Sequence, residues 1–127
     1  METEIGIGLS HEEKMEVTRQ DTAAVYGSGA LEVFATPAMI ALMEKTSLMC
    51  VSGKLGEGNT TVGTKVDISH LKASPVGAAI RCEAKLIEVD RRRLVFDVKC
   101  FEGDTLVGEG KHERFIVDSK KFMDKLK

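Results

Sequence analysis

One stretch near the middle of the chain constrains the fold more than any other. From Pro37 to Ser52, apolar side chains occupy almost every helical position, and Glu44 is the one acidic residue. Thr36 is a good N-cap residue, Pro is favoured at the first helical position, and Gly53 can end the helix. The pattern predicts one helix that is buried almost all round, so a curved sheet or a partner subunit must enclose it.

Most of the remaining chain alternates apolar and polar residues with the period of two that is typical of β-strands. A first strand is predicted at Met15–Thr18, a loop at Asp21–Gly29, and a last long strand at Leu106–Val117. Between them, three strands are predicted to direct one set of side chains each towards the core: Val62, Thr64, Val66, Ile68 and His70; Ile80, Cys82, Ala84 and Leu86; Leu94, Phe96, Val98 and Cys100. Hairpin turns are predicted at Asp90–Arg92 and Glu102–Asp104. This order of elements predicts an α+β fold, one antiparallel sheet against one helix, in a single domain over residues 1–127.

Composition and charge exclude several classes of function. The 127 residues include 18 basic and 20 acidic ones, for a net charge of −2, so no basic field favours nucleic acid. The longest apolar stretch, Ala38–Met43, is far shorter than the ~18–20 residues that a membrane-spanning helix needs. The acidic N-terminus, Met1–Glu4, lacks the features of a signal peptide. Three isolated cysteines and no clustered metal ligands predict a cytoplasmic protein without a metal or cofactor.

Two polar residues in apolar surroundings are candidates for chemistry. Glu44 is costly to bury unless it is paired, hydrogen-bonded or protonated, so it is either reactive, paired with Lys45, or open to solvent. His70 is predicted at the end of a strand, where functional sites often lie. The other two histidines are less promising, because His11 is predicted to be solvated in the N-terminal segment and His112 to form a cross-strand ion pair.

The start of the predicted helix offers a further set of polar groups. Thr36 is first of all the expected N-cap, and the amides of Ala38 and Met39 are expected to lack intrahelical partners. These amides carry a partial positive charge and could stabilise a carbonyl oxygen as it becomes an oxyanion. Pro37 contributes no N–H group to such a site.

Three stretches occur in an order and at separations that together are specific: Glu32–Ile40 with Leu42–Glu44, Ser69–Gly77 and Gly108–Arg114. With these stretches the chain resembles the hotdog-fold thioesterases, most closely the fluoroacetyl-CoA thioesterase-like branch. The resemblance extends from about residue 17 to residue 122, and Pro37 stands where that branch can carry Gly. The resemblance implies a sheet wrapped around the central helix and a homodimer with its sites at the subunit interface. It also implies hydrolysis of an acyl-CoA thioester by residues that match Thr36, Glu44 and His70.

The predicted function is therefore cofactor-free hydrolysis of a small acyl-CoA thioester to the free acid and CoA. Glu44 is predicted to act as nucleophile or as the base for water, His70 to move protons, and Thr36 to support the oxyanion. Thr36 and Glu44 are eight residues apart in the sequence. That is about 12 Å along a helix, so a site that uses both is predicted to combine two chains. Substrate-binding residues are predicted to be Arg114, Pro37, Ala38 and Met39.

Two alternatives stay open at this point. The first keeps the hotdog fold and makes the protein an acyl-CoA hydratase or dehydratase, which would need an Asp near the helix start, where Thr36-Pro37 stands. The second is a non-catalytic module that binds acyl-CoA, in which Glu44 is only a structural carboxylate.

Overall fold

The computed structural model describes residues 5–127, so the acidic N-terminus Met1–Glu4 lies outside the described residues. Five strands form one antiparallel sheet in the order β1-β3-β4-β5-β2, with one long helix, α2, against it. The predicted α+β class is confirmed. In chain order the elements are β1 (Ser10–Glu16), a 3-10 turn (Arg19–Asp21), α1 (Ala23–Tyr26), α2 (Thr36–Val51), β2 (Asn59–His70), β3 (Ala79–Asp90), β4 (Arg93–Glu102), β5 (Thr105–Asp118) and α3 (Ser119–Asp124).

The core lies between α2 and the inner face of the sheet. The inward-facing side chains predicted for β3 and β4 are confirmed as buried: Ile80, Cys82, Ala84, Leu86, Leu94, Phe96, Val98 and Cys100. Burial of each large apolar side chain contributes about 1.5–3 kcal/mol to stability. A Cβ atom at Gly108 of β5 would collide with the side chain of Met39, so glycine lets α2 approach the sheet closely there.

The long helix is covered on one side only. It begins one residue earlier than predicted, ends at Val51, and is followed by Gly53 in the left-handed conformation with φ of 75°. Half of its residues are buried, whereas the following are exposed or half-buried: Thr36, Pro37, Ile40, Ala41, Glu44, Lys45, Leu48 and Met49. Burial almost all round is therefore wrong for the single chain, because the sheet reaches only one face of the helix.

The N-terminal part of the chain departs from the sequence prediction. The first strand, β1, lies earlier than Met15–Thr18 because all of its residues, from Ser10 to Glu16, pair with β3. His11 lies within this strand and contacts Glu13, so its predicted place in a solvated segment is wrong. The predicted loop over residues 21–29 contains α1, whose first turn is capped by the Thr22 hydroxyl.

An irregularity in β2 changes which of its side chains face the core. Gly63 pairs with Arg114 of β5 and Lys65 pairs with Glu113, so Thr64 is an extra residue, a β-bulge. Successive side chains of a strand point to opposite faces of the sheet. The extra residue shifts this alternation by one, so the residues before and after the bulge that face the core have opposite parity. Thr61 is consequently buried instead of Val62, and the single inward-facing set predicted for this strand is wrong.

The hairpin turns are where the sequence predicts them. Arg91-Arg92 joins β3 to β4, and Gly103-Asp104 joins β4 to β5. Arg91 and Gly103 both have positive φ, 57° and 62°, as tight two-residue turns require. None of the helices within residues 5–127 combines the length and the apolar character that a membrane span requires.

Candidate active site

Thr36 and His70 meet where α2 begins and β2 ends. The Oγ1 atom of Thr36 lies 2.8 Å from Nδ1 of His70. Thr36 is the first residue of the helix, and Ala35 is its N-cap, without a side-chain cap. The predicted N-cap role of Thr36 is therefore wrong, because the helix starts one residue earlier and the hydroxyl is directed to the imidazole instead.

The backbone amides at the helix start are only partly free. The N–H of Met39 donates to the carbonyl oxygen of Ala35 at 3.0 Å, so the free amide predicted at Met39 is wrong. Thr36 and Ala38 precede this first intrahelical bond, and Pro37 has no N–H to give. The amides of Thr36 and Ala38 are therefore the ones left to carry the partial positive charge of the helix start.

His70 has one ring nitrogen engaged and the other buried without a partner. Its Nε2 atom is buried and makes no hydrogen bond within residues 5–127. Burial lowers the pKa of His70, and the backbone at Lys72 opposes this only in part. The ring of Phe34 stands edge-on to the imidazole, with centroids 6.2 Å apart. A neutral imidazole with a free nitrogen in a sheltered position can give or take a proton.

A small cavity opens beside the Thr36–His70 pair. Its volume is about 330 Å³, at the low end for ligand pockets. The walls come from α1, the segment before α2, and the loop after β2. The lining residues are Ala23, Ser28, Val33, Phe34, Thr36, His70, Leu71, Lys72 and Ala73.

Glu44 lies two turns further along α2, beside a different part of β2 and β5. Its Oε2 atom is 3.9 Å from Nη1 of Arg114, and its side chain remains 43% exposed. Lys45, the partner considered from sequence, instead lies 3.7 Å from Glu13 of β1. A pairing of Glu44 with Lys45 is therefore wrong, and the cation nearest to Glu44 is an arginine from the sheet.

Arg114 is held by a set of buried polar groups. It is 6% exposed. Its Nε donates to Oγ1 of Thr61 at 2.7 Å, and its Nη2 donates to the carbonyl oxygen of Thr61 at 3.0 Å. Its Nη1 lies 3.1 Å from Nε2 of His112, whose Nδ1 is 2.8 Å from the carbonyl oxygen of Lys65.

His112 is a buried member of this cluster and forms no ion pair across the strands. It is only 1% exposed, and burial is the largest cause that lowers its pKa. The neighbouring Glu113 points to the other side of β5 and receives a hydrogen bond from Arg93 at 2.9 Å. The cross-strand ion pair predicted for His112 is therefore wrong, because its side chain faces the core.

Because Gly63 has no side chain, the side chains of Glu44, Arg114 and His112 can lie close to its backbone. A Cβ atom at this position would lie 2.8 Å from Oε2 of Glu44 and 3.3 Å from both Nη1 of Arg114 and Cε1 of His112. A side chain there would displace the carboxylate. Sequence reasoning missed Gly63 as a neighbour of Glu44, and Thr61 and His112 as partners of Arg114, although a glycine inside a strand often marks a close approach.

One chain thus brings Thr36 and His70 together and leaves Glu44 apart from them. Gly63, next to Glu44, and His70 are seven residues apart in β2. At about 3.3 Å per residue this separates the two positions by roughly 20 Å. The groups expected to act together therefore form two half-sites on one chain. Within residues 5–127, no group of His, Cys, Asp or Glu could hold a metal ion.

Sequence similarity to known proteins identifies the family of the chain. The fluoroacetyl-CoA-specific thioesterase family matches residues 17–120. The fluoroacetyl-CoA thioesterase of Streptantibioticus cattleyicolor is 34% identical over 96 residues, which cover 76% of this chain and 69% of that protein. The chain belongs to this family. The predicted enzyme, an acyl-CoA thioesterase and so a thioester hydrolase, is confirmed by this membership.

Solved structures similar to this thioesterase support the same fold. A fluoroacetyl-CoA thioesterase matches it with a TM-score of 0.89 and 29% identity, over 96% of this chain and 95% of that one. A mutant of such a thioesterase in complex with fluoroacetate and CoA has a TM-score of 0.87 and 29% identity, over 93% and 99% of the two chains. A hot-dog-like protein from Thermanaerovibrio acidaminovorans is 23% identical with a TM-score of 0.88, over 96% and 90%. The predicted hotdog fold is confirmed.

The two buried histidines predict how stability depends on pH. Burial lowers the pKa of both His70 and His112 below the ordinary value of 6.5. The unfolded thioesterase therefore binds protons that the folded one does not, and the free energy of unfolding should fall as the pH drops below about 6.5. We expect a lower melting temperature at about pH 5.5 than at about pH 7.5, and a smaller decrease in His112→Gln. Equal melting temperatures at the two pH values would contradict this.

Proposed function

We propose that the protein, acting as one domain, hydrolyses small acyl-CoA thioesters at a site built from Thr36, Glu44 and His70. The observation that carries the proposal is the contact between Thr36 and His70, with a free imidazole nitrogen beside a cavity of about 330 Å³. Such a cavity suits a small acyl group, with the CoA moiety outside.

The chemistry follows from the types of group present. Glu44 attacks the thioester carbonyl, or takes a proton from a water molecule that attacks it. The carbon–sulfur bond breaks, the thiolate of CoA leaves and takes a proton from His70, and the water molecule that enters the reaction supplies the proton that restores the imidazole. If an acyl-enzyme forms on Glu44, water then hydrolyses it to release the acid. Thr36 and the amides at the start of α2 support the negative charge on the carbonyl oxygen.

A homodimer would bring the two half-sites together. β2 is an edge strand, with one side unpaired in the single chain. If two copies of β2 paired antiparallel, the part near Gly63 of one chain would approach the part near His70 of the other. The exposed or half-buried apolar residues of α2 would be covered in the same step: Pro37, Ile40, Ala41, Leu48 and Met49.

We therefore expect the protein to be at least dimeric in solution. Symmetric pairing covers the edge strand and the apolar helix face at once. Light scattering at micromolar concentration should give at least twice the chain mass of 13.8 kDa. A stable monomer with full activity would contradict both the dimer and the shared site.

The substrate and the type of reaction can be tested together by measuring thiol release from a panel of acyl-CoAs. The panel should include fluoroacetyl-CoA, on which the named relatives act, together with acetyl-CoA and longer acyl chains. The stretch Gly27–Ala30 carries no aromatic side chain to narrow the site further, so the panel is not restricted to fluoroacetyl-CoA. Release of CoA with the highest kcat/KM for small acyl groups is expected. Binding of acyl-CoA without release of thiol would support a binding module instead.

We also propose a cytoplasmic location. Cys50, Cys82 and Cys100 are free thiols, and all three are buried. Unpaired cysteines are typical of a reducing compartment.

A further inference from the structure

The protonation state of His112 follows from its two neighbours. Its Nδ1 lies 2.8 Å from the carbonyl oxygen of Lys65, and a carbonyl oxygen can only accept a hydrogen bond. Its Nε2 lies 3.1 Å from Nη1 of Arg114, and a guanidinium can only donate. Nδ1 therefore carries the hydrogen, and Nε2 is an acceptor. His112 is a neutral imidazole in one defined tautomer.

The Nε2 atom of His112 holds the third nitrogen of the Arg114 guanidinium, Nη1. Thr61 already accepts from Nε and Nη2, and His112 accepts from Nη1. The guanidinium is 6% exposed, so little water can replace these partners. Nη1 is also the atom that lies 3.9 Å from Oε2 of Glu44. The guanidinium is a rigid plane, so loss of the His112 acceptor would leave it free to pivot about the Nε–Nη2 edge that Thr61 holds, and this pivot would move Nη1.

Glu44 has few other restraints on its carboxylate. Its side chain is 43% exposed, and Arg114 is the only cation within ion-pair distance of it in the described part of the chain. Gly63 lies beside both groups and has no side chain that could hold the carboxylate: a Cβ atom there would lie 2.8 Å from Oε2 of Glu44 and 3.3 Å from Nη1 of Arg114. The position of Nη1 therefore determines where the carboxylate is attracted. Arg114 is a buried cation that needs a counter-charge, so the Glu44 carboxylate also attracts the guanidinium.

We propose that His112 is a positioning residue for the thioesterase reaction, holding Arg114 in the orientation that directs the Glu44 carboxylate. The anchor of His112 is the carbonyl oxygen of Lys65, directly after the bulge at Thr64. The chain of contacts thus runs from the bulge through His112 and Arg114 to Glu44. This inference rests on the proposed role of Glu44.

Two substitutions test separately the hydrogen-bond acceptor of His112, Nε2, and its donor, Nδ1. His112→Gln can place an amide oxygen near the position of Nε2, and so can still accept from Arg114. His112→Asn can still donate to the Lys65 carbonyl from a position near Nδ1, but it cannot reach Arg114. We expect kcat for acyl-CoA hydrolysis to fall about 10- to 100-fold in His112→Asn, with KM changed much less. His112→Gln should restore kcat to within a few-fold of wild type.

A third comparison shows whether His112 acts through Glu44. In a protein that already carries Glu44→Gln, adding His112→Asn should lower the residual kcat no further, because the carboxylate that it positions is gone. The melting temperature of each variant is measured on the same preparation. A decrease in kcat that is the same in His112→Gln and His112→Asn, or that persists in full in the Glu44→Gln background, would overturn the inference.

The same measurements distinguish failure of the inference from failure of the proposed function. If wild type releases thiol, Glu44→Gln does not, and His112→Asn equals wild type, the positioning role alone is overturned. If Glu44→Gln equals wild type, the role of Glu44 fails, and the inference fails with it. A His112→Asn protein that does not fold leaves His112→Gln to decide, and a low kcat in a folded His112→Gln overturns the positioning role.

Discussion

Glu44→Gln is expected to reduce kcat for thioester hydrolysis by about 10²–10⁴-fold, and by more if Glu44 is a covalent nucleophile. Gln has nearly the same shape as Glu, so the packing of α2 against the sheet is unchanged. The substitution removes the negative charge, and with it the nucleophile or general base. The carboxylate is 43% exposed, but the substitution also removes the counter-charge of the buried Arg114 at 3.9 Å, so we expect a lower melting temperature in a protein that still folds.

The matched control is Glu109→Gln, the same chemical change at an exposed position of β5. It should leave both kcat and the melting temperature close to the wild-type values. Thiol release and thermal melting are measured on one preparation of each variant. A folded Glu44→Gln protein with near-normal kcat would remove Glu44 from the mechanism and leave His70 acting on water.

His70→Asn is expected to have an effect of similar size, about 10²–10⁴-fold on kcat. Asn can keep a polar atom near Thr36 in the place of Nδ1, whereas the buried Nε2 atom is lost. If Nε2 supplies the proton to the departing thiolate of CoA, this variant loses the proton and keeps the helix start intact. We therefore expect kcat to fall much more than KM changes.

The control for this variant is His11→Asn, which changes a histidine of β1 that contacts Glu13. It should retain wild-type kcat. His70→Asn should also lose the pH dependence of kcat that titration of His70 gives to the wild type. A variant that keeps both the wild-type kcat and its pH profile would contradict the role of His70.

The fold could be predicted well where local patterns decide it. The alternation in β3 and β4, for example at Phe96 and Val98, gives the correct buried face because both strands lie in the middle of the sheet. The turn at Gly103 needs only local backbone geometry. Prediction failed in β2, because one extra residue at Thr64 reverses the faces and no periodicity marks a single bulge.

The candidate site could be predicted only in part. Glu44 and His70 stand out as polar residues in apolar stretches, and the resemblance to thioesterases points to the same residues. The cluster around Arg114 could not be predicted, because it depends on which face of β5 His112 takes and on the approach of α2 to Gly63. The exposure of one face of α2 cannot be predicted from a single sequence either, because the pattern of apolar residues is the same whether the sheet or another subunit covers them.

The proposed site combines Glu44 of one chain with Thr36 and His70 of another, and mixed dimers test this most directly. Glu44→Gln and His70→Asn chains are co-expressed with different tags, and dimers that contain one of each are purified over both tags. Such a dimer has one complete site and one doubly altered site if the site is shared between chains. We expect it to recover about half of the wild-type kcat per dimer, although each parent dimer is nearly inactive. A mixed dimer as inactive as its parents would show that both residues act within one chain, and would contradict the shared site.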